Sequence, residues 1–341
     1  MSIDDRLKHV RGIVVERLGD WRDAKLGTLK LSGPGPDQVL IECEAAALNF
    51  HDLLLIEGNY QVTPETPFFP GGDIVGRVVG LGPSVDKLVI GQRVAAIVFR
   101  GAFAELAVAS VDRCFPVPDD MDPVKAASCG TVFATAAAAL TMRGDLRAGE
   151  RLLITGASGG LGVAAIQYAG TIGAEIVALV SSEEKERVAR LAGAHHILRL
   201  DRMTSPRDDM RDALVGAGLD GVEVVLDVVG GDVFDGAIRC LTRGGRLLVV
   251  GFASGRIPEV KTNYLLLKDI AVIGSALENG FRRDAPMLSD IMDRIYTAVA
   301  RGELDPFVSH TFPFEQFHQA AERIANRTVT GKIVLVPRTP A

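Results

Sequence analysis

The second half of the chain alternates short apolar runs with stretches whose apolar positions recur at helical spacing. The runs at Arg151–Thr155, Glu175–Val180, His196–Leu200, Val222–Val228, Arg246–Gly251 and Ile270–Ser275 are too short for helices and nearly continuous in apolar character, which predicts buried parallel strands. Strands alternating with helices make a doubly wound α/β sheet, and six strands complete a dinucleotide-binding one. Before Pro118 the pattern differs. From Val14 onward, stretches such as Val39–Cys43, Gly72–Gly80 and Val94–Val98 are separated by Gly and Pro, which predicts a compact β-rich domain. After Ser275 the spacing predicts a helix over Pro286–Ala300, the Pro-rich stretch Pro306–Pro313, a helix over Phe314–Ala325 and a last strand over Lys332–Val336. This tail is expected to return to the first domain, giving boundaries at 1–126, 127–276 and 277–341.

Composition narrows the functional classes. Hydrophobic residues make up 48% of the 341 and charged residues 23%, ordinary for a chain that buries a sizeable core. The net charge of −6, with Lys and Arg scattered, argues against nucleic acid as the main partner. No apolar run is long enough to span a bilayer, and MSIDDRLKHV lacks the apolar core of a signal peptide, so neither membrane insertion nor export is expected. Cys43, Cys114, Cys129 and Cys240 form no C-x-x-C pair, so neither a disulfide framework nor a cysteine zinc site is suggested, and a reducing cytoplasm fits best.

The candidate chemistry begins at Thr155-Gly156-Ala157-Ser158-Gly159-Gly160-Leu161-Gly162, a glycine-rich passage from the first parallel strand into a helix. Glycines let backbone approach a pyrophosphate, and the helix start offers it unpaired N–H groups. Ser158, Gly159, Gly160 and Leu161 are therefore expected to bind a dinucleotide. An NAD-specific site would place Asp or Glu at the end of the second strand to hold the ribose 2′-hydroxyl. Here that strand ends Ala178-Leu179-Val180 and continues Ser181-Ser182-Glu183-Glu184-Lys185. NADPH is thus the expected cofactor, with Ser181 and Lys185 as first choices for its 2′-phosphate and Arg199 as a reserve cation. The plainer alternative makes Ser181-Ser182 a helix cap and Lys185 a solvated side chain.

Several separated motifs resemble the medium-chain dehydrogenase/reductase superfamily, and within it the zinc-independent NADPH:quinone oxidoreductase (zeta-crystallin-like) branch. They are Ala47-Leu48-Asn49-Phe50-His51-Asp52, Gly58-Asn59-Tyr60, Pro70-Gly71-Gly72-Asp73 with Gly76 and Gly80, Gly91-Gln92-Arg93-Val94, Gly101-Ala102-Phe103-Ala104-Glu105 and the loop at Gly156–Gly162. The resemblance implies a GroES-like β-rich catalytic domain (1–126, completed by 277–341) and a Rossmann-type NADPH-binding domain (127–276), with the active site in the cleft between them. It also implies that the catalytic zinc ligands of the alcohol dehydrogenases are replaced by Asn49, Gly72 and Thr131, none of which serves well as a ligand. No metal is expected.

Without a metal, the acceptor must already be electrophilic, which points to quinones and α,β-unsaturated carbonyls. By resemblance, Tyr60 lines the active site as a proton donor or an orienting group, or is only a wall of it, and Asn49 contacts the cofactor. Thr135, Val228, Gly251, Phe252, Ala253 and Lys332 are further cofactor contacts carried over from the family. His51 beside Asp52 reads as a structural pair, since a lone His with a neighbouring Asp is more often that than a relay. Two other functions stay open: an enoyl-thioester (enoyl-CoA) reductase, with Arg282 and Arg283 as basic contacts, and a non-enzymatic NADPH-binding, crystallin-like protein. The resemblance also implies a homodimer formed through the edge strand Ile270–Ser275.

Overall fold

A computed structural model describes residues 3–337. By its internal contacts the chain divides into two compact units, Met1–Thr131 with Met292–Ala341, and Val132–Ile291.

The first unit opens with a hairpin, β1 (Val10–Val14) and β2 (Lys25–Leu29), and continues through β3 (Gln38–Leu48), β4 (Asp73–Leu81), β5 (Arg93–Ile97), β6 (Leu106–Ser110) and β7 (Cys114–Pro116). Strand β3 is the spine of this sheet. Along its eleven residues it pairs antiparallel with β4 on one side and β6 on the other, and its end, Ala45–Leu48, is fully buried. A helix, Phe50–Glu57, leaves this buried end; the Asp52 carboxylate accepts the Asn49 N–H at 2.7 Å at its start, and Gly58 closes it in the left-handed region at φ 75°.

The second unit holds β8 (Arg151–Ile154), β9 (Glu175–Val180), β10 (His196–Arg199), β11 (Val222–Asp227), β12 (Leu241–Val249) and β13 (Ala271–Gly274). All six are parallel, in the order β10-β9-β8-β11-β12-β13. Successive side chains feed opposite faces. Leu152, Ile154, Ile176, Ala178, Val224 and Leu226 enter one core with Ala165, Ile166 and Ala169 of the Gly160–Ile172 helix. Leu153, Val177, Leu179 and Val225 enter the other with Met210, Leu214 and Phe234. A strand buried on both faces cannot alternate, which is why these runs read as unbroken apolar stretches.

The chain then returns to the first unit as β14 (Val308–Pro313) and β15 (Lys332–Val336). The Pro-rich stretch is thus an edge strand, where a missing N–H is tolerated. It runs parallel to β15, which sits between it and β3. Ile333 and Leu335 enter the first unit's core, each worth about 1.5–3 kcal/mol of burial, alongside Phe314 and Phe317.

Candidate functional site

In the second unit the switch point of the sheet lies between β8 and β11, and a buried polar clasp closes it. Thr155 donates its hydroxyl to Asp227 Oδ1 at 2.7 Å and accepts the Val228 N–H at 3.0 Å, while Gly230 N–H reaches Asp227 Oδ2 at 3.0 Å. Burial pushes the Asp227 carboxyl above its ordinary range, against the pull of these donors. The loop after β8 turns at Gly156, whose φ of +63° is left-handed, so the strained position precedes Ala157 rather than falling on it. Gly159 begins the Gly160–Ile172 helix with no side-chain cap, leaving the N–H groups of its first turn to a ligand or to solvent. Gly162 packs so tightly on the loop that a Cβ there would lie 2.4 Å from the Gly156 carbonyl oxygen. Ser158 is buried in this loop.

The expected ribose end is assembled from two neighbouring strands. Ser181 follows the last residue of β9, and Lys185 Nζ donates to Ser181 Oγ at 3.0 Å, while Ser182 caps the Glu183–Leu191 helix by accepting the Lys185 N–H. The helix cap of the plainer reading is present, and Lys185 stands beside Ser181. Arg199 is paired in register with Val180, so its side chain leaves the sheet beside the same strand end. Its guanidinium already binds Asp201 at 2.7 Å and Glu186 at 3.1 Å. Gly251, Phe252 and Ala253 follow β12 and meet Val228: the Ala253 N–H donates to the Val228 carbonyl at 3.1 Å, and a Cβ on Gly251 would lie 3.3 Å from that oxygen. Thr135 is buried on the Gly130–Ala137 helix, apart from these contacts.

The first unit carries a buried polar chain that joins two sequence candidates to two residues not singled out for any role there. Lys332 at the start of β15 donates to Asn49 Oδ1 and to the Leu48 carbonyl. Asn49 Nδ2 donates to Asp73 Oδ2 at 2.8 Å and to the Ala47 carbonyl at 3.3 Å, and Asp73 Oδ1 accepts both the N–H and the hydroxyl of Thr131 at 2.7 Å. Both amide protons of Asn49 are spent inside the unit, which leaves Oδ1 as the atom it can offer a ligand. Burial lowers the Lys332 pKa, opposed by Asp73 and Asp52. Asp73 was named in sequence only as part of the Pro70-Gly71-Gly72-Asp73 motif. Tyr60 stands nearby, its ring 5.7 Å from His51 and 6.3 Å from Phe99. Cys129 is buried. Among the described residues no cluster of His, Cys, Asp or Glu is arranged to hold a metal, and no helix is long and apolar enough to cross a membrane.

Comparison with known proteins agrees with this arrangement. The profile of the alcohol dehydrogenase GroES-like domain matches residues 35–119, and that of the zinc-binding dehydrogenase domain matches residues 160–294. The quinone oxidoreductase-like protein 2 of Bos taurus is 32% identical over 88% of this chain and 85% of its own. A probable oxidoreductase from Mycobacterium abscessus superposes with a TM-score of 0.83 at 32% identity, over 97% of this chain and all (100%) of its own. A mycobacterial protein solved in complex with NADPH gives a TM-score of 0.87 at 27% identity, over 96% of this chain and 100% of its own.

Proposed function

The chain belongs to the medium-chain dehydrogenase/reductase superfamily and is an oxidoreductase of its quinone oxidoreductase-like group; from that premise we propose that it is an NADPH-dependent reductase of quinones or activated α,β-unsaturated carbonyls that works without zinc. The observation that carries this reading is the chain Lys332–Asn49–Asp73–Thr131, in which Asn49 and Thr131, two of the residues matching zinc-ligand positions of metal-dependent relatives, are both committed to hydrogen bonds with Asp73. An acceptor that is electrophilic in its own right fits a site with no ligand set.

The uncapped helix start, packed closely on its loop at Gly162, fits a dinucleotide pyrophosphate, with Ser158, Gly159, Gly160 and Leu161 as its contacts. When bound, the reduced nicotinamide supplies a hydride. Val228, Gly251, Phe252 and Ala253 stand at the carboxyl ends of β11 and β12, where a ligand of such a sheet sits. Ser181, Lys185 and Arg199 offer a hydroxyl and two cations to a 2′-phosphate. Asp201 and Glu186 hold the Arg199 guanidinium in place, and Lys185, whose ammonium already meets Ser181 Oγ, is the first choice of the two cations. Tyr60 presents a phenol whose hydroxyl orients the acceptor oxygen.

The deciding experiment follows oxidation of NADPH and of NADH with a naphthoquinone, a cyclic enone and an enoyl-CoA, beside metal analysis of the active protein. We expect NADPH to be preferred by at least about tenfold in kcat/KM, a gap that charge-assisted bonds to one phosphate readily supply. Lys185→Ala should narrow that gap mainly through KM; an NADH preference in the parent protein, or stoichiometric zinc, would refute the reading. Tyr60→Phe is expected to lower kcat by about tenfold or more, the loss typical of removing a hydrogen bond to developing charge. Unchanged turnover would leave Tyr60 as a wall of the site.

A further inference from the structure

His51 is the second residue of the Phe50–Glu57 helix. Its Nε2 lies 3.3 Å from Oδ1 of Asp52, a fully buried oxygen with no hydrogen-bond donor aligned on it. The imidazole lies against residue 72, where only glycine leaves it room: a Cβ there would be 2.7 Å from Nε2. On its other side the ring faces Tyr60. The side chain is still 25% exposed. The geometry is that of an imidazole set against a buried carboxylate and still partly exposed.

Three charged groups face this ring from three elements: Asp52 on its own helix, Asp73 on β4 and Lys332 on β15. Burial favours the neutral imidazole and Lys332 repels its charge, but Asp52 and then Asp73 outweigh both, so the ring holds its proton above the ordinary histidine range.

We propose that His51 is the proton donor of the reduction, and that it suits the site to α,β-unsaturated carbonyl acceptors; this rests on the reductase reading above. The acceptor's conjugated carbon takes the hydride, forming one C–H bond while the C=C pair shifts to leave an enolate. The enolate's α-carbon then takes the imidazolium proton: an N–H bond breaks, a C–H bond forms, the carbonyl is restored, and the neutral ring is recharged from water. The oxidised nicotinamide accounts for the two electrons. A quinone makes a smaller demand, because its reduced product is a phenolate, a weaker base than an enolate, and it leaves to be protonated in water.

The test uses the full chain with NADPH, 2-cyclohexenone and 1,4-naphthoquinone over about pH 5 to 9, with NMR titration of His51 in the cofactor-free protein. We expect His51 to titrate above about 6.5, and kcat/KM for the enone to fall tenfold per pH unit above that same midpoint. His51→Gln should lower enone turnover by about 100-fold and flatten the alkaline limb, while costing naphthoquinone turnover at least about tenfold less than it costs the enone. An unchanged enone profile in His51→Gln, or equal loss with both acceptors, would overturn the proposal, the second being what a merely structural role produces. Should His51→Gln not fold, coincidence of the parent's enone limb with the NMR titration supports the proposal and a mismatch refutes it. Parent protein that reduces neither acceptor refutes the reductase reading and this proposal with it.

Discussion

Gly162→Ala is expected to weaken NADPH binding by at least about 100-fold and to destabilise the protein by about 1–3 kcal/mol, the usual cost of overpacking a close contact. The added Cβ would lie 2.4 Å from the Gly156 carbonyl oxygen and 2.5 Å from Ala157 Cα, and these are backbone atoms that cannot swing aside. Relief requires the loop to part from the helix start, and with it the N–H groups proposed to meet the pyrophosphate. Gly170→Ala in the same helix is the control. Nothing lies within 4 Å of a Cβ there, so it should bind NADPH normally and gain up to about 1 kcal/mol from helix propensity. Calorimetric titration and urea unfolding read both quantities; Gly162→Ala binding as tightly as the parent would discard the assignment of this loop.

The second large effect is expected at Lys332. Lys332→Met leaves Asp73 and Asp52 buried without the ammonium that faces them and Asn49 Oδ1 without its donor, and breaking a buried charge network in this way costs about 3–5 kcal/mol. Adding Asp73→Asn should recover part of the loss, because the neutral amide no longer needs the ammonium. Urea unfolding of the two single variants and the double variant measures the coupling. A Lys332→Met protein within about 1 kcal/mol of the parent would show that the chain of contacts does not hold the unit together.

Burial decided which parts of the fold were legible in sequence. Glu175–Val180 and Lys332–Val336 were read to the residue, because strands buried on both faces are unbroken apolar runs bounded by turns. β12 begins at Leu241, earlier than Arg246, since Thr242-Arg243-Gly244-Gly245 carries no apolar signal and a register shift interrupts its pairing with β11. β14 was hidden by Pro306 before it and Pro313 at its end. In the site, Asn49 and Lys332 were each identified, but their partnership spans 283 residues and no local pattern encodes it. Thr155 and Asp227, which clasp the switch point across 72 residues, escaped notice for the same reason. His51 was read as a structural pair with Asp52, and the pairing is present. What sequence did not reveal is that the ring stays partly open and that Gly72 makes the room for it.

The place of β15 between β14 and β3 bears on how the molecule is made. As the chain leaves the ribosome, every strand of the Val132–Ile291 unit emerges before Lys332 does. Until then β3 has no β15 beside it, and Asp73 and Asp52 have no ammonium facing them. The first unit is begun first and finished last, and the residue that closes its buried charge chain is also the one that opens its final strand. Truncation before Lys332 should therefore yield a complete parallel sheet attached to an unfinished neighbour, rather than a protein that is slightly less stable throughout.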